Sequence, residues 1–90
     1  MDKNDRSTLA LSEILILLAS ALNLDLSSVD RTTSSNDLEE WDSLGTINII
    51  TTLESNLGLK LDILEIPLLI SVPSIIELLV SKGYQINFDK

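Results

Sequence analysis

The sequence predicts an all-α domain, a bundle of three longer helices and one short or irregular third helix. Three observations predict it. Leucines and isoleucines recur at helical spacing in three separate stretches. Candidate caps and stops bracket those stretches: serine, threonine or aspartate before them, and glycine after two of them. Two-residue alternation of apolar and polar residues, the mark of a half-buried strand, is confined to Gly58–Leu61 and to the C-terminal tail. On this reading a sheet is not expected.

The first helix is expected from about Ser7, with Ser7 or Thr8 as its cap. Leu11, Ile14, Leu15, Leu18 and Leu22 form its apolar stripe. Ile16 and Leu17 widen the stripe, so more than one side of this helix should be covered. The pattern fades at Asn23–Asp25. A long connection follows, "SSVDRTTSSNDLEEWD" at 27–42, rich in Ser, Thr and Asp. Connections of this length without structure of their own are uncommon and tend to be functional. Val29 and Leu38 are the expected anchors to the core. Trp41 is a third, with its indole N–H at the rim.

The second helix is expected over 43–57. Ile47, Ile50, Leu53 and Leu57 lie along one side, and Ile49 broadens it. The other side collects Asn48, Thr51, Thr52 and Ser55, with Leu44 near that polar side. Gly58 is a natural stop. The third element, "LKLDILEIPLLI", is expected to be a brief or irregular turn capped by Asp62, because Pro67 removes a backbone donor. The last helix should be capped by Ser71 and tolerate Pro73 in its first turn. Ile75, Ile76, Leu78, Leu79 and Val80 supply its apolar face. Lys82 suits its final turn and Gly83 its end. Residues 1–83 thus read as one domain and 84–90 as a tail. In that tail Tyr84, Ile86 and Phe88 alternate, but one short stretch cannot form a sheet alone.

The composition narrows the functional classes. The aromatic residues are one Trp, one Tyr and one Phe, so the core must be aliphatic. The chain has no cysteine, which excludes disulfides, thiolate metal sites and a cysteine nucleophile. Fourteen acids against six bases give a net charge of −8. Such a chain repels phosphate backbones, so nucleic acid is not an expected partner, whereas proteins with basic patches are. The apolar run Ile14–Ala19 falls well short of the about 20 residues that span a bilayer, so no membrane insertion is expected. Ala19-Ser20-Ala21 resembles a leader cleavage site. However, Asp2 and Asp5 offset the upstream Lys3 and Arg6, and cleavage there would remove the best helix.

One junction stands apart: "EEWDSLGTIN" at 39–48. It leads from acids and a tryptophan into a serine at a helix start. The chain has no histidine, so a Ser–His–Asp arrangement is impossible. Lys60 is the nearest lysine in sequence for a serine–lysine pair. The acids Asp37, Glu39, Glu40 and Asp42 lack calcium-loop spacing. Neither catalysis nor a metal centre is expected. A helix N-terminus does present unpaired N–H groups and partial positive charge. An anionic group esterified to Ser43 would therefore sit in a favourable field. The plainer alternative is that Ser43 or Asp42 only caps the helix.

"DSL" at 42–44 resembles the attachment motif of acyl carrier proteins and related peptidyl carriers. "EEWDSLGTINIITTLES" is similar to the Trp-containing form of that motif in stand-alone carriers. "LGLKLDI" and "ISVPSIIELLVSKG" resemble the family's third-element and last-helix segments, so the likeness runs over roughly residues 7–83. It implies a four-helix carrier, a cytoplasmic monomer and not an enzyme, with 4′-phosphopantetheine on Ser43. That arm would hold an acyl or aminoacyl group as a thioester. The implied partners are a phosphopantetheinyl transferase, an acyl- or aminoacyl-activating ligase, and an acyltransferase or synthase of fatty-acid or polyketide type. Asp42 would help position the transferase and its metal, and Leu44 would be an apolar contact beside the arm.

The second helix departs from the usual acidic pattern, because Glu54 is its one acid. Charge-based docking would then lean on Asp37, Glu39, Glu40 and Asp42, with Glu54 a lesser contributor. The resemblance so qualified implies a dedicated carrier rather than one for general fatty-acid synthesis. A peptidyl or aminoacyl carrier for a ligation system, an unmodified helical interaction module and a small enzyme subunit are the alternative readings.

Overall fold

The computed structural model describes residues 8–88. The element order is β1 (Thr8–Ala10), α1 (Leu11–Leu22), α2 (Ser43–Leu57), α3 (Val72–Ser81) and β2 (Gln85–Asn87), with 3₁₀ turns at Leu26–Ser28, Ser35–Asp37 and Ile66–Leu68. It is a small, mostly helical domain carrying a two-stranded sheet.

α1 begins later than expected. Thr8–Ala10 is extended, and Ala10 takes the cap position with β-region dihedrals. Alanine has no side-chain acceptor. The stabilising contact instead runs backwards, from the Ala10 N–H to the Glu13 carboxylate at 2.8 Å. The expected cap Ser7 lies outside the described residues. Asn23 ends the helix with φ 60, a left-handed conformation that asparagine tolerates.

The two short strands correct the expectation of an all-α chain. β1 pairs with β2 in parallel register, Leu9 opposite Ile86. Alternation in the tail therefore does produce a strand, because residues preceding α1 supply the partner that the tail lacks by itself. Leu9 is buried and Ile86 half-buried, so the pair closes the core at this end. Residues 85–87 are thus joined to the start of the domain rather than hanging from it. Beyond them, the Phe88 ring lies 5.2 Å from the Arg31 guanidinium carbon.

The core is aliphatic. Ile14, Leu18, Ile49, Leu53, Leu69, Val72, Ile75 and Leu79 are its largest fully buried side chains. α1 and α2 pack against each other; Ile75, Leu78 and Leu79 of α3 belong to the same buried cluster, and α3 neighbours β2 and the 3₁₀ turn at Ile66–Leu68. Val80 is exposed, not part of the buried face. Ser71 caps α3 by accepting from the Ser74 N–H at 3.1 Å.

A four-helix bundle does not form among the described residues. The third element is a 3₁₀ turn at Ile66–Leu68 with Pro67 inside it. Asp62 does not cap it with its side chain. The Asp62 N–H instead donates to Glu65 at 3.0 Å.

Candidate functional site

The site is built from two directions, the 27–42 loop and the start of α2. The loop has little secondary structure but is well anchored. Val29, Thr33 and Trp41 are buried and Leu38 is half-buried. Thr33 was not expected in the core. Its hydroxyl accepts from the Asp30 N–H at 2.9 Å and donates to the Asp30 carboxylate at 3.2 Å. The same carboxylate accepts from the Thr32 hydroxyl and N–H, at 2.7 and 2.9 Å. The Thr32 hydroxyl first, then its N–H, hold the Asp30 carboxyl below the usual aspartate range. Backbone bonds fasten the loop to the entry of α3: Ser35 N–H to the Ile70 carbonyl and Val72 N–H to the Thr33 carbonyl, both 2.8 Å.

Trp41 fixes the end of the loop. Its ring is 3% exposed, and its N–H reaches inward to the Leu69 carbonyl at 3.2 Å. The rim position expected for that N–H is therefore corrected: the donor finds its acceptor inside the fold. One residue later the Asp42 carboxylate accepts from the Gly45 N–H at 2.9 Å and caps α2. The cap is Asp42, which leaves the Ser43 hydroxyl uncommitted to that bond. Ser43 is the first residue of α2 and is exposed.

Gly45 has a packing role that its place in the sequence does not reveal. It is buried, and a Cβ there would collide with the Glu40 carbonyl oxygen and come within 2.9 Å of Leu22 Cδ2. The missing side chain lets the loop backbone pass directly over the first turn of α2. That close approach sets where Asp42 and Ser43 stand relative to α1.

The buried side of α2 is also narrower than expected. Gly45, Ile49 and Leu53 are covered, whereas Ile47 is 55% exposed. Leu44 is 66% exposed beside Ser43, off the buried stripe. Together with Ser43 and Thr46, Ile47 and Ile50 form one wall of an open groove of about 410 Å³. The other wall is Ile66, Pro67, Leu69 and Ile70. The groove has no charged lining residue and reaches Ser43 at one end.

The acids divide by role. Glu39, Glu40 and Asp42 are exposed ahead of Ser43. Asp37 is exposed too, but one carboxylate oxygen accepts from the Ser34 N–H at 2.8 Å. Glu54 is half-buried near the far end of α2, where it accepts from the Leu61 N–H at 2.9 Å. It ties down the segment after the helix and stands apart from the other four. Among the described residues no cluster of acids is placed to hold a metal ion, and no helix is long and apolar enough to cross a membrane.

Comparison of the chain with family models, curated proteins and solved structures gives no match.

Proposed function

We propose that the protein is an acyl carrier: Ser43 bears a 4′-phosphopantetheine arm, and the arm presents an acyl thioester to partner enzymes. The observation that carries this reading is the placement of "WDSL". Asp42 does the capping, Ser43 stands exposed at the first position of α2, and Leu44 is exposed next to it. An aliphatic groove opens beside that serine. A phosphodiester on Ser43 would lie at the positive end of the α2 dipole. The arm's thiol would hold the acyl group, since cofactors of this type carry out the carrying while the protein supplies attachment and presentation. Tethering raises the local concentration of cargo at a docked enzyme, roughly into the millimolar range for short flexible linkers.

The uncharged groove favours an aliphatic acyl group over a charged aminoacyl one, because burying an unpaired ammonium is strongly unfavourable. The short third element is the counterpart, on this reading, of the shortest helix of a four-helix carrier. The proposed partners are a phosphopantetheinyl transferase, an activating ligase, and an acyltransferase or synthase in a specialised pathway, met in the cytoplasm by a monomeric carrier. Docking would use Leu44 with Glu39, Glu40 and Asp42. Intact-mass measurement of the protein from its native host tests the reading. It should show the arm, with or without cargo, on Ser43.

A further inference from the structure

The segment after α2 has an unusual build. From Asp62 to Ile70 its one fully buried side chain is Leu69. Ile63 and Leu64 are 78% and 83% exposed. Its backbone–backbone hydrogen bonds include three single-turn contacts, Glu65 N–H to Asp62 O, Leu68 N–H to Glu65 O, and Leu69 N–H to Ile66 O, at 2.9, 3.0 and 3.0 Å. Few buried contacts and short-range bonds mark a segment that opens at low free energy.

Its two ends are nevertheless fixed. At the start, the Leu61 N–H donates to Glu54 on α2. At the finish, Trp41 holds the Leu69 carbonyl and Ser35 holds the Ile70 carbonyl. Between those ends Glu65 reaches Lys82, the residue that follows α3. Glu65 Oε1 lies 3.0 Å from Lys82 Nζ, and the same oxygen accepts from the Asp62 N–H. One carboxylate oxygen thus joins the start of the turn to the C-cap of α3.

We propose that residues 62–69 are a strap over the groove at Ser43, and that the Glu65–Lys82 ion pair is the latch that holds it. The groove has one wall on α2 and the other on the strap, so any displacement of the strap changes its width. Breaking the pair removes the strap's side-chain tie to Lys82 while both ends stay attached. Both partners are partly covered, with side chains 23% and 22% exposed, and a pair of this kind remains breakable. The latch stands on these contacts alone. That an aliphatic chain on Ser43 is what enters the widened groove rests on the carrier reading.

The test is amide hydrogen exchange on the full chain, without any arm, followed residue by residue. Lys82→Met keeps the apolar stem and removes the charge. Glu65→Gln keeps an acceptor for the Asp62 N–H and leaves α3 intact. In both variants the amides of Glu65, Leu68 and Leu69 should exchange about three- to fivefold faster, the range such a pair supports, while Leu18 in α1 keeps its rate. In the wild type, raising salt to roughly 1 M, where screening acts within about 3 Å, should speed the same three amides, and the variants should lose that response. Unchanged strap exchange in both variants overturns the proposal. So does an equal rise at Leu18, which would make the pair a contributor to global stability and not a latch. Uptake of an octanoyl-bearing arm at Ser43 is read separately by mass. A chain that refuses the arm but shows the local change keeps the latch and loses the carrier reading. A chain that takes the arm with no local change does the reverse.

Discussion

The indole N–H of Trp41 donates to the carbonyl oxygen of Leu69 at 3.2 Å, joining residues 28 positions apart in the sequence. The bond ties the last turn of the loop before Ser43 to the far wall of the groove. A buried carbonyl that loses its donor keeps the full desolvation penalty. Trp41→Phe, which retains an aromatic ring but no N–H, should therefore lower stability by about 1–3 kcal/mol. Trp41→Ala should lower it by about 3–5 kcal/mol through the added cavity. Urea unfolding followed by circular dichroism measures both.

Gly45→Ala sets two effects against each other. Alanine favours a helix interior over glycine by about 1 kcal/mol. The new Cβ, however, meets backbone at Glu40, which cannot rotate away as a side-chain tip could. Overpacking of this sort typically costs about 1–3 kcal/mol. The clash should win: the variant should unfold at lower urea, and the amide signals of 40–46 should shift more than those of α3.

Ile47 and Ile49 are two residues apart on α2 with opposite burial, 55% exposed against 0%. Ile49→Ala should lower stability by about 2–5 kcal/mol, as should Leu53→Ala at a similarly covered position. Ile47→Ala should stay within about 0.5 kcal/mol. The same urea titrations separate them.

These contrasts show what the sequence could and could not specify. The span of α2 was legible, with Gly58 as its left-handed stop, while the cap lay open between Asp42 and Ser43 until the Asp42–Gly45 bond decided it. α3 was legible too, through Ser71, Pro73 and Gly83. Which isoleucines on the apolar side of α2 are covered was not, because Ile47 and Ile49 both fall on it and the segments that bury Ile49 and leave Ile47 exposed come from elsewhere in the chain. The β1–β2 pair was hidden too: each strand is three residues long, and its partner lies at the other end of the chain. At the candidate site, Ser43, Asp42 and Leu44 stand out through the resemblance of "DSL" to a carrier motif, since by type and position alone they read as a helix cap. Gly45, Thr33 and the groove wall at Ile66–Ile70 could not, since their roles arise from contacts between distant segments. The inward turn of the Trp41 N–H likewise depends on where Leu69 falls. Buried Thr33 did leave one faint signal, an Asp three residues before it able to bond its hydroxyl.

Acid should loosen the loop before the site. The Thr32 hydroxyl and N–H hold Asp30 below its ordinary value. A carboxyl depressed in the folded state contributes stability above its unfolded value, about 3.9 for aspartate, and loses it as pH falls through the lower folded value. Asp30→Asn should thus be less stable than wild type at pH 7, and the difference should shrink below about pH 4. Urea midpoints across that range provide the check.

Docking should respond to charge ahead of Ser43 more than to charge further along α2. Glu39 and Glu40 are exposed there, whereas Glu54 is engaged with Leu61. With a basic partner enzyme, Glu39→Lys combined with Glu40→Lys should slow association, and the effect should fade as salt rises. Glu54→Gln should alter the rate less. Leu44→Ala should speed dissociation instead, because it removes a short-range apolar contact. Stopped-flow kinetics with the cognate ligase or transferase resolves the two rates. A larger loss from Glu54→Gln than from the double change would move docking to the body of α2.

The central claim is that Ser43 carries the arm, and intact mass tests it most directly. The unmodified protein is incubated with coenzyme A, magnesium and a broadly acting phosphopantetheinyl transferase, then weighed beside Ser43→Ala treated the same way. The account predicts that the wild type gains a single phosphopantetheine and the variant gains none. A wild type that gains nothing while correctly folded, or a variant that gains the same mass, would contradict it.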